Sequence, residues 1–340
     1  MLNRYSNKAI YIQLADDIRR QINDGEIKPG DKIPSESEMQ KKYNVARLTV
    51  REALSVLVNE GILEKKHGKG TFCKQNAKSA SVDVLLNMND YYFIPYYIQS
   101  ISGVLDKYNI NFVVGDTKNS WSETVKLLRK IAKRGSDGVI VQVSPESEYD
   151  ECEITQAFDD LARAGIPFVQ IDAAYDTKSY SYAIMDEDKI GELAANHLHE
   201  CGHRKIAIIT LPDNRISDMR MKHARKVFDD VTEIAFDDML TKNIKSAYDG
   251  GATAIFCFND QIAKECLDSI HSLTLSMPDD ISLVSVDDTI VSNLYGITSI
   301  SHAKGEIGKI AAKAIVRGEL PLKKTFEPVL AKRTSVKKID

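Results

Sequence analysis

The chain has 340 residues, 43% of them hydrophobic and 28% charged, which is too long for one small domain and suits two. Its formal net charge of −4 hides an uneven distribution. Residues 1–75 hold 14 Lys and Arg against 10 Asp and Glu, whereas the remaining residues hold 31 against 39. This split favours an N-terminal part that approaches phosphates and a C-terminal body that does not.

Composition argues against two classes of protein, membrane-spanning and disulfide-stabilised. No apolar run approaches the roughly 18–20 residues of a membrane-spanning helix, and the N-terminus lacks the apolar run of a signal peptide. An odd number of cysteines without CxxC spacing favours free thiols in a reducing compartment. The cysteines are Cys73, Cys152, Cys201, Cys257 and Cys266. We therefore expect a cytoplasmic protein that has no membrane partner.

The first predicted helix runs from about Ile10 to Asn23, because apolar residues recur there at every fourth position and form one buried stripe. Gly25 ends this helix, and Pro29-Gly30 forms a turn. A second helix follows with the pattern of a capping box. Ser35 is its candidate N-cap, and Glu38 stands three residues later.

The second helix is predicted to end near Asn44, a residue that tolerates the left-handed conformation, and a third begins near Ala46. Arg47 and Arg51 are one turn apart, so they project together from the N-terminal half of the third helix. A recognition helix meets base edges and phosphates with this part of its surface. Guanidinium groups can hold guanine or phosphate oxygens there by paired hydrogen bonds.

Two short strands are predicted next, at Ile62–Glu64 and Thr71–Cys73, on either side of the basic turn Lys65–Gly70. Glycines in this turn let the backbone come close to a sugar-phosphate chain. Helix, turn, helix and basic wing thus occur in the order of a winged helix. We prefer this interpretation to a small helical domain with a solvated basic face.

This segment resembles the winged helix of the GntR (gluconate-repressor) family of bacterial transcription factors over residues 9–73. The likeness is carried by Pro34-Ser35-Glu36, Val45-Ala46-Arg47, Thr49-Val50-Arg51 and Gly68-Lys69-Gly70-Thr71-Phe72. Ser37 and Leu48 depart from the residues that are common in the family. The resemblance implies that the third helix and the wing contact double-stranded operator DNA. The candidate DNA-binding residues are Ser35, Ser37, Arg47, Leu48, Thr49, Arg51, His67 and Gly68.

Residues 76–81 are small and polar and are predicted to link a winged helix at 1–75 to a body at 82–340. In the body, apolar runs alternate with helical patterns, which indicates an α/β fold with parallel sheets in two lobes. The predicted strands are Val82–Leu86, Asn111–Val114, Gly138–Val141, Phe168–Ile171, Ala183–Met185, Ile206–Thr210, Ala254–Phe258 and Ser282–Val286. The predicted helices are Tyr96–Tyr108, Glu123–Arg134, Ile154–Ala164, Lys189–His199, Ser217–Phe228, Gln261–Leu273 and Lys304–Val316.

Polar residues follow several predicted strands, and open parallel sheets bind ligands beyond these carboxyl ends. The polar positions are Asn87–Asp90, Ser144–Glu146, Asp172, Asn259-Asp260 and Asp287-Asp288. Carboxylates, amides and an arginine can hold sugar hydroxyls by paired hydrogen bonds, with aromatic rings against the sugar ring. Any one of these carboxylates could instead cap the next helix.

The body resembles the effector domain of the lactose/galactose-repressor (LacI/GalR) family, which shares the fold of type I periplasmic sugar-binding proteins. The likeness is carried by Asp137-Gly138-Val139-Ile140, Gly165-Ile166-Pro167-Phe168, Gly202-His203-Arg204-Lys205-Ile206-Ala207 and Pro278-Asp279-Asp280-Ile281-Ser282. A GntR-type winged helix joined to such a body is similar to the arabinose-repressor subgroup. The resemblance implies a sugar-binding cleft. Its candidate residues are Asn89, Tyr91, Tyr92, Glu146, Asp172, Arg220, Asn259 and Asp287.

Three patterns that could carry chemistry are better explained otherwise. The spacing of His197, His199, Cys201 and His203 matches no standard zinc signature. Lys69-Gly70-Thr71 lacks the upstream glycine of a phosphate loop, because Glu64 stands at that position. Asp287-Asp288 has no nucleophile and base beside it. We therefore expect no metal, no cofactor and no catalytic residue.

The sequence predicts a homodimeric, sugar-responsive transcriptional repressor whose effector is a monosaccharide, plausibly L-arabinose or another pentose. A secreted solute-binding protein is the rival class, but it would have no use for a winged helix. A second alternative remains open. His223 replaces a glycine usual in the family, and 225–252 looks shorter than in relatives. The cleft could then respond to a protein partner or another small molecule instead of a sugar.

Overall fold

The computed structural model describes residues 8–23, 26–74, 80–89, 91–108 and 110–339. The predicted helix end at Gly25, residues 76–79 of the predicted linker, and Asp90 lie outside these ranges. The chain divides into two compact units. One comprises Met1–Val82 with Leu105–Phe112, and the other comprises Asp83–Val104 with Val113–Asp340.

Over residues 8–74, where the structure describes them, the first unit contains three α-helices and a two-stranded antiparallel ribbon. These elements are α1 (Ile10–Asn23), α2 (Glu36–Tyr43), α3 (Arg47–Asn59), β1 (Leu63–Lys66) and β2 (Gly70–Cys73). The predicted capping box is confirmed, since Ser35 N donates to Glu38 at 2.7 Å and Ser35 Oγ accepts from Glu38 N. Asn44 ends α2 in the left-handed conformation, as its residue type predicts. The side chains buried between the helices include Leu14, Ile18, Met39, Val50, Leu54 and Leu57.

The ribbon gains a third segment from the chain before α2. Ile33 N donates to Thr71 O at 2.9 Å, and Cys73 N donates to Asp31 O at 2.8 Å. Gly70 lies beside this segment with φ +114°, and an added Cβ would come within 2.8 Å of the Lys32 side chain. A larger residue at Gly70 would therefore strain the backbone and push Lys32 aside.

The second unit is built from two sheets that helices cover. Its strands are β3 (Ser81–Leu86), β4 (Asn111–Asp116), β5 (Gly138–Gln142), β6 (Phe168–Asp172), β7 (Tyr182–Met185), β8 (Lys205–Thr210), β9 (Asp230–Ala235), β10 (Ala254–Cys257), β11 (Ser282–Asp287), β12 (Thr298–Ser301), β13 (Lys323–Phe326) and β14 (Val329–Ala331). Its helices are α4 (Ile94–Leu105), α5 (Trp121–Arg134), α6 (Glu151–Arg163), α7 (Glu187–Glu200), α8 (Arg215–Met221), α9 (Ala224–Val227), α10 (Leu240–Asp249), α11 (Asp260–Ser272), α12 (Ile290–Tyr295) and α13 (Lys304–Arg317).

Each sheet forms the centre of one lobe. The first lobe has the strand order β13-β7-β6-β5-β3-β4, and the second has β14-β12-β11-β10-β8-β9. The pairings from β8 to β12 are parallel, and only the terminal strand β14 of this sheet runs antiparallel to its neighbour. The α/β class, the parallel sheets and the two lobes predicted from the sequence are thus confirmed.

The chain passes between the lobes three times: from β7 to α7, from β12 to α13, and from β13 to β14. The second passage brings α13 onto the first sheet, where Ile315 packs so close to Gly138 that an added Cβ would lie 2.4 Å from its methyl carbon. The first passage places α7 against the second sheet. Both lobes therefore depend on segments that are distant in sequence.

The predicted helix Ser217–Phe228 is wrong as one element, because α8 ends at Met221 and α9 begins at Ala224. The sequence also did not indicate β9, α10, α12 or the last three strands. Apart from the ten-residue α10, these elements are short or lie at sheet edges, and β9 buries only Ile234 fully, so its apolar pattern is weak. Segment 225–252 nevertheless forms a strand and a helix of the second lobe. Among the described residues no helix is both long and apolar enough to span a bilayer.

Candidate functional site

The exposed face of α3 carries two arginines that one carboxylate holds together. Arg47 Nε donates to Glu36 Oε2 at 2.8 Å, and Arg51 Nη2 lies 3.4 Å from the same oxygen. Glu36 is the first residue of α2, so it reaches across the turn to the start of α3. The hydrogen bonds from Arg47 and Arg51 hold the pKa of Glu36 below its usual range. The guanidinium groups are therefore oriented before any ligand arrives.

The remaining candidates on the two helices have different surroundings. Leu48 is 65% exposed next to the arginines, where an apolar side chain can meet a thymine methyl group. Ser37 is exposed, and Thr49 is half-buried. The hydroxyl of Ser35 donates to Glu38 at 2.7 Å, so the capping box of α2 already uses this hydroxyl. At the ribbon tip, His67 and Gly68 are exposed between β1 and β2.

The orienting role of Glu36 gives a prediction about specificity. We expect Glu36→Gln to leave both arginines on α3 but to loosen their geometry and remove one negative charge near the phosphates. Affinity for random-sequence DNA should rise, and the ratio of specific to non-specific affinity should fall several-fold. Fluorescence anisotropy at matched salt measures both affinities, with Glu52→Gln on an exposed part of α3 as the control. An unchanged ratio would show that Glu36 has no orienting role.

A cleft of about 190 Å³ lies between the two lobes of the body. Its wall is formed by strand ends and helix starts of both lobes, as expected for facing parallel sheets. The volume is below the roughly 300–1,000 Å³ of sites that enclose drug-sized ligands, so a small ligand fits best. The lining residues include Asn87, Asn89, Phe93, Asn119, Gln142, Asp172, Glu187, Asn214, Ile216, Arg220, Phe258, Asn259, Gln261 and Asp287.

Asp172 supplies a carboxylate from the first lobe, at the end of β6. Gln142 Nε2 donates to its Oδ2 at 2.8 Å, and the Tyr97 hydroxyl donates to its Oδ1 at 3.3 Å. The imidazole of His302 lies 3.4 Å from the same Oδ1. Burial by itself would raise the pKa of Asp172, but its contacts with His302 and Gln142 outweigh burial and lower it. The carboxylate is thus held ionised with one side toward the cleft.

Asp287 supplies the matching carboxylate from the second lobe, at the end of β11. Both Asp172 and Asp287 have positive φ, at +70° and +102°, a conformation that Asp tolerates better than most residues. The ammonium group of Lys304 donates to the backbone oxygens of Asp287 and Asp288 and thereby fixes this turn. Asp172 and Asp287 therefore present carboxylates from opposite lobes to the space between them.

Arg220 supplies a guanidinium to the lining of the cleft and is only 5% exposed. Its Nε donates to Glu187 Oε2 at 2.6 Å, and its Nη1 donates to the carbonyl oxygen of Phe258 at 2.9 Å. The guanidinium also lies 4.7 Å from the centre of the Phe258 ring. Burial would lower the pKa of Arg220, but the carboxylates of Glu187 and Asp287 more than offset it and raise the pKa. Arg220 is therefore permanently charged.

Five of the eight predicted cleft residues line the cavity. They are Asn89, Asp172, Arg220, Asn259 and Asp287. Asn259 also caps α11, since its Oδ1 accepts from Ile262 N at 2.9 Å. Glu146 is not among the lining residues, and its Oε2 accepts from Trp121 N at 2.6 Å at the start of α5. Tyr91 and Tyr92 are 75% and 41% exposed and do not line the cavity either.

The sequence did not single out Asn119, Gln142, Glu187 or Asn214 as lining residues. Asn119 and Asn214 each lie near the N-terminus of a helix that follows a strand, which is the signal that could have identified them. Glu187 stands two residues after β7, so its position after a strand end is the signal that could have identified it. His223, whose departure from the family pattern was noted above, does not line the cleft.

The lobes also meet directly at an interlobe bridge, formed by residues 145–147 of the first lobe and 213–215 of the second. Arg215 N donates to Pro145 O at 2.9 Å, and Ser147 N donates to Asp213 O at 3.1 Å. Glu146 and Asn214 thus face each other as in an antiparallel ladder. These contacts therefore join the two lobes directly beside the cleft, which Pro145 and Asn214 also line.

Two family descriptions match separate parts of the chain. "Bacterial regulatory proteins, gntR family" matches residues 10–73, which contain the three helices and the ribbon. "Periplasmic binding protein-like domain" matches residues 195–336, most of the second lobe and the last passages between lobes. The two matches lie in different units of the structure.

Two curated relatives extend over nearly the whole chain, and both are named "Arabinose metabolism transcriptional repressor". The protein of Halalkalibacterium halodurans is 29% identical over 325 residues, covering 88% of this chain and 86% of that protein. The protein of Geobacillus stearothermophilus is 29% identical over 331 residues, covering 90% of each. The order of domains is therefore shared along the length of these regulators.

A solved structure confirms the fold of the body. A LacI family transcriptional regulator from Enterococcus faecium, with bound ribose, superposes with a TM-score of 0.63 at 22% identity. It covers 76% of this chain and all of that chain. The chain is therefore similar to transcriptional regulators: it carries a DNA-binding domain that matches the gntR description and a body with the periplasmic-binding-protein-like fold of this LacI-type structure.

Proposed function

We propose that the protein is a repressor of carbohydrate-utilisation genes that a monosaccharide releases from its operator, and that the sugar is L-arabinose or a related pentose. The observation that carries the proposal is the cleft between the lobes. It presents the carboxylates of Asp172 and Asp287 and the guanidinium of Arg220 to one small cavity. Hydroxyl groups both donate and accept hydrogen bonds, so a polyol satisfies this mixed set.

The volume of the cleft and the names of the relatives support this sugar. A cavity of about 190 Å³ favours a single sugar ring over an oligosaccharide. Both relatives that extend over the chain are named as arabinose metabolism repressors, and the compared LacI-family structure holds ribose, another pentose. The volume supports a monosaccharide, and the names of the two relatives together with the bound ribose support a pentose over a hexose.

Operator binding is assigned to Arg47, Leu48, Thr49 and Arg51 on α3, to Ser35 and Ser37 near the start of α2, and to His67 and Gly68 on the wing. Two chains pair through their bodies and hold two winged helices on a near-palindromic operator in the cytoplasm. The modest excess of four positive charges in residues 1–75 supports the need for a second chain, because few phosphate contacts give weak binding.

In the proposed switch, the sugar stabilises the closed body, and the closed dimer no longer matches the spacing of the half-sites. A differential affinity of about 1–3 kcal/mol for the two states is enough to change operator affinity 5- to 150-fold. Because the coupling is reciprocal, operator DNA must weaken sugar binding by the same factor.

A thermal-shift screen of the full-length protein tests the proposal directly. At 100 times its dissociation constant, a ligand of the folded state stabilises it by about 2.7 kcal/mol, which raises the melting temperature by several degrees. We expect L-arabinose to give the largest shift among common pentoses and hexoses. Absence of a shift with every sugar would refute the sugar effector and favour a protein partner or another small molecule.

The interlobe bridge gives a prediction about closure. Arg215 is the first residue of α8, after the N-cap Asn214, so proline at this position costs the helix no hydrogen bond. Arg215→Pro does remove the bond to Pro145 O across the lobes. We expect sugar affinity to fall about 3- to 10-fold, as for one lost hydrogen bond, and release of the operator to need more sugar.

Two control variants separate the backbone from the side chain. Glu151→Pro changes the first residue of α6, which follows the N-cap Asp150, and lies outside the bridge. Arg215→Ala removes the guanidinium but keeps the amide. If Arg215→Pro needs no more sugar than Arg215→Ala to release the operator, the bridge does not contribute to closure.

A further inference from the structure

Three carboxylates and one guanidinium line the cleft among the described residues. The carboxylates belong to Asp172, Glu187 and Asp287, and the guanidinium belongs to Arg220. Two further cations lie beside this lining: the ammonium group of Lys304 donates to the backbone oxygen of Asp287, and Arg215 stands between the lining residues Asn214 and Ile216. Since Glu187 pairs directly with Arg220, the positive charge of this guanidinium is already neutralised. A negatively charged ligand would meet an Arg220 guanidinium whose Nε and Nη2 groups already donate to Glu187.

The pairing of Glu187 with Arg220 is held by the packing of two helices. Glu187 begins α7, and Gly191 follows one turn later on the same helix. An added Cβ at Gly191 would lie 2.1 Å from the Arg220 backbone oxygen, so only glycine lets α8 come this close. The Glu187 side chain is 5% exposed, and its two oxygens lie 2.6 and 3.4 Å from Nε and Nη2 of Arg220.

Two N–H groups of Arg220 remain available to a ligand. A guanidinium has five N–H groups, and three of them donate to Glu187 and to the carbonyl oxygen of Phe258. The two that remain can donate to hydroxyl oxygens of a sugar. Glu187 thus determines which edge of the Arg220 guanidinium a ligand contacts. Its negative charge also neutralises that guanidinium.

From this geometry we infer that Glu187 is a positioning residue that makes the cleft select uncharged sugars over the corresponding sugar acids and sugar phosphates. The inference rests on the proposed function, because it presumes that a sugar occupies the cleft. Without Glu187, the guanidinium would keep its charge and its place against Phe258 but would have two more N–H groups to offer. A carboxylate would then become its best partner, through paired N–H···O bonds.

Calorimetry of the full-length protein with L-arabinose and with L-arabinonate tests this inference. We expect the wild-type protein to bind L-arabinose at least about 100-fold more tightly than L-arabinonate, because Glu187 already occupies the paired N–H groups of Arg220 and repels a second carboxylate there. In Glu187→Gln, binding of L-arabinose should weaken about tenfold, since Arg220 loses its charged partner. Binding of L-arabinonate should strengthen, so that the ratio of the two affinities falls more than tenfold.

Control variants distinguish this role from a purely structural one. Glu192→Gln makes the same change on the same helix, where the side chain is 42% exposed, and should leave the ratio as in the wild type. Glu187→Gln combined with Arg220→Gln leaves no unpaired buried charge, so it should fold even where the single variant is unstable. It should weaken L-arabinose binding without any gain for L-arabinonate, because that gain needs the guanidinium.

The outcomes separate the inference from the function on which it rests. If the wild-type protein binds L-arabinonate as tightly as L-arabinose, or if Glu187→Gln keeps the wild-type ratio, the role of Glu187 is refuted while the sugar effector stands. A gain for L-arabinonate in the double variant would also refute it. If the wild-type protein binds neither compound nor any other sugar, the proposed function fails and the inference falls with it.

Discussion

Arg51→Ala is expected to weaken operator binding more than any other single change in the protein. The guanidinium is exposed in the first half of α3, and its loss removes a contact worth about 1–3 kcal/mol. In the proposed dimer each chain carries one Arg51, so the substitution removes two contacts with the operator. Folding should be unaffected, because the contact with Glu36 is an exposed ion pair at 3.4 Å. Sugar affinity should also stay unchanged.

Fluorescence anisotropy with an operator selected from a random DNA library by the wild-type protein measures this effect. Arg163→Ala is the matched control, since it removes an exposed arginine of the body that pairs with Asp160. The salt dependence adds a second result. If Arg51 contacts phosphate, the salt slope should fall by about one, whereas a base contact should relax the operator sequence at one position. Affinity equal to that of the control would rule out α3 as the recognition helix.

Asp287→Asn is expected to have the largest effect on the response to sugar. Asparagine keeps the shape of the side chain and tolerates the φ of +102° at this position, so the turn after β11 should persist. The change removes a charged acceptor, and hydrogen bonds to charged groups contribute about 1.5–3 kcal/mol. Sugar affinity should therefore fall by roughly 10- to 150-fold, while operator binding without sugar remains as in the wild type.

The same substitution at Asp172 tests the opposite lobe. Asp172→Asn should give a comparable loss, and Asp188→Asn, which changes an exposed carboxylate of α7, should give none. Calorimetry gives the sugar affinities, and gel-shift titration with added L-arabinose gives the release of operator DNA. Wild-type sugar binding by Asp287→Asn would remove that residue from the proposed site.

The local patterns of the chain predicted much of its fold because they arise from neighbouring residues. The capping box at Ser35 and the buried face of α3 depend on spacings of three and four positions, which are visible in one sequence. Asp172 and Asp287 could be placed because carboxyl ends of parallel strands meet at one edge of a sheet. In the structure, both residues line the cleft.

The contacts that the sequence did not reveal join distant segments. Glu36 lies 11 positions before Arg47 and Glu187 lies 33 before Arg220, and no spacing rule connects such pairs. Their partners depend on how α2 meets α3 and how α7 meets α8. The family resemblance suggested Tyr91, Tyr92 and Glu146 as cleft residues, but the direction of each loop decides whether a side chain enters a cavity.

The three passages between the lobes have a consequence for how the protein is made. The first sheet receives β13 and the second receives β14 from residues 323–331, near the end of the described chain. On a ribosome, neither lobe can complete its sheet until almost all of the body has been synthesised, whereas residues 10–73 can fold far earlier. A product cut short after about residue 318 would therefore keep a folded DNA-binding unit attached to two incomplete sheets, able to touch DNA but unable to respond to a ligand.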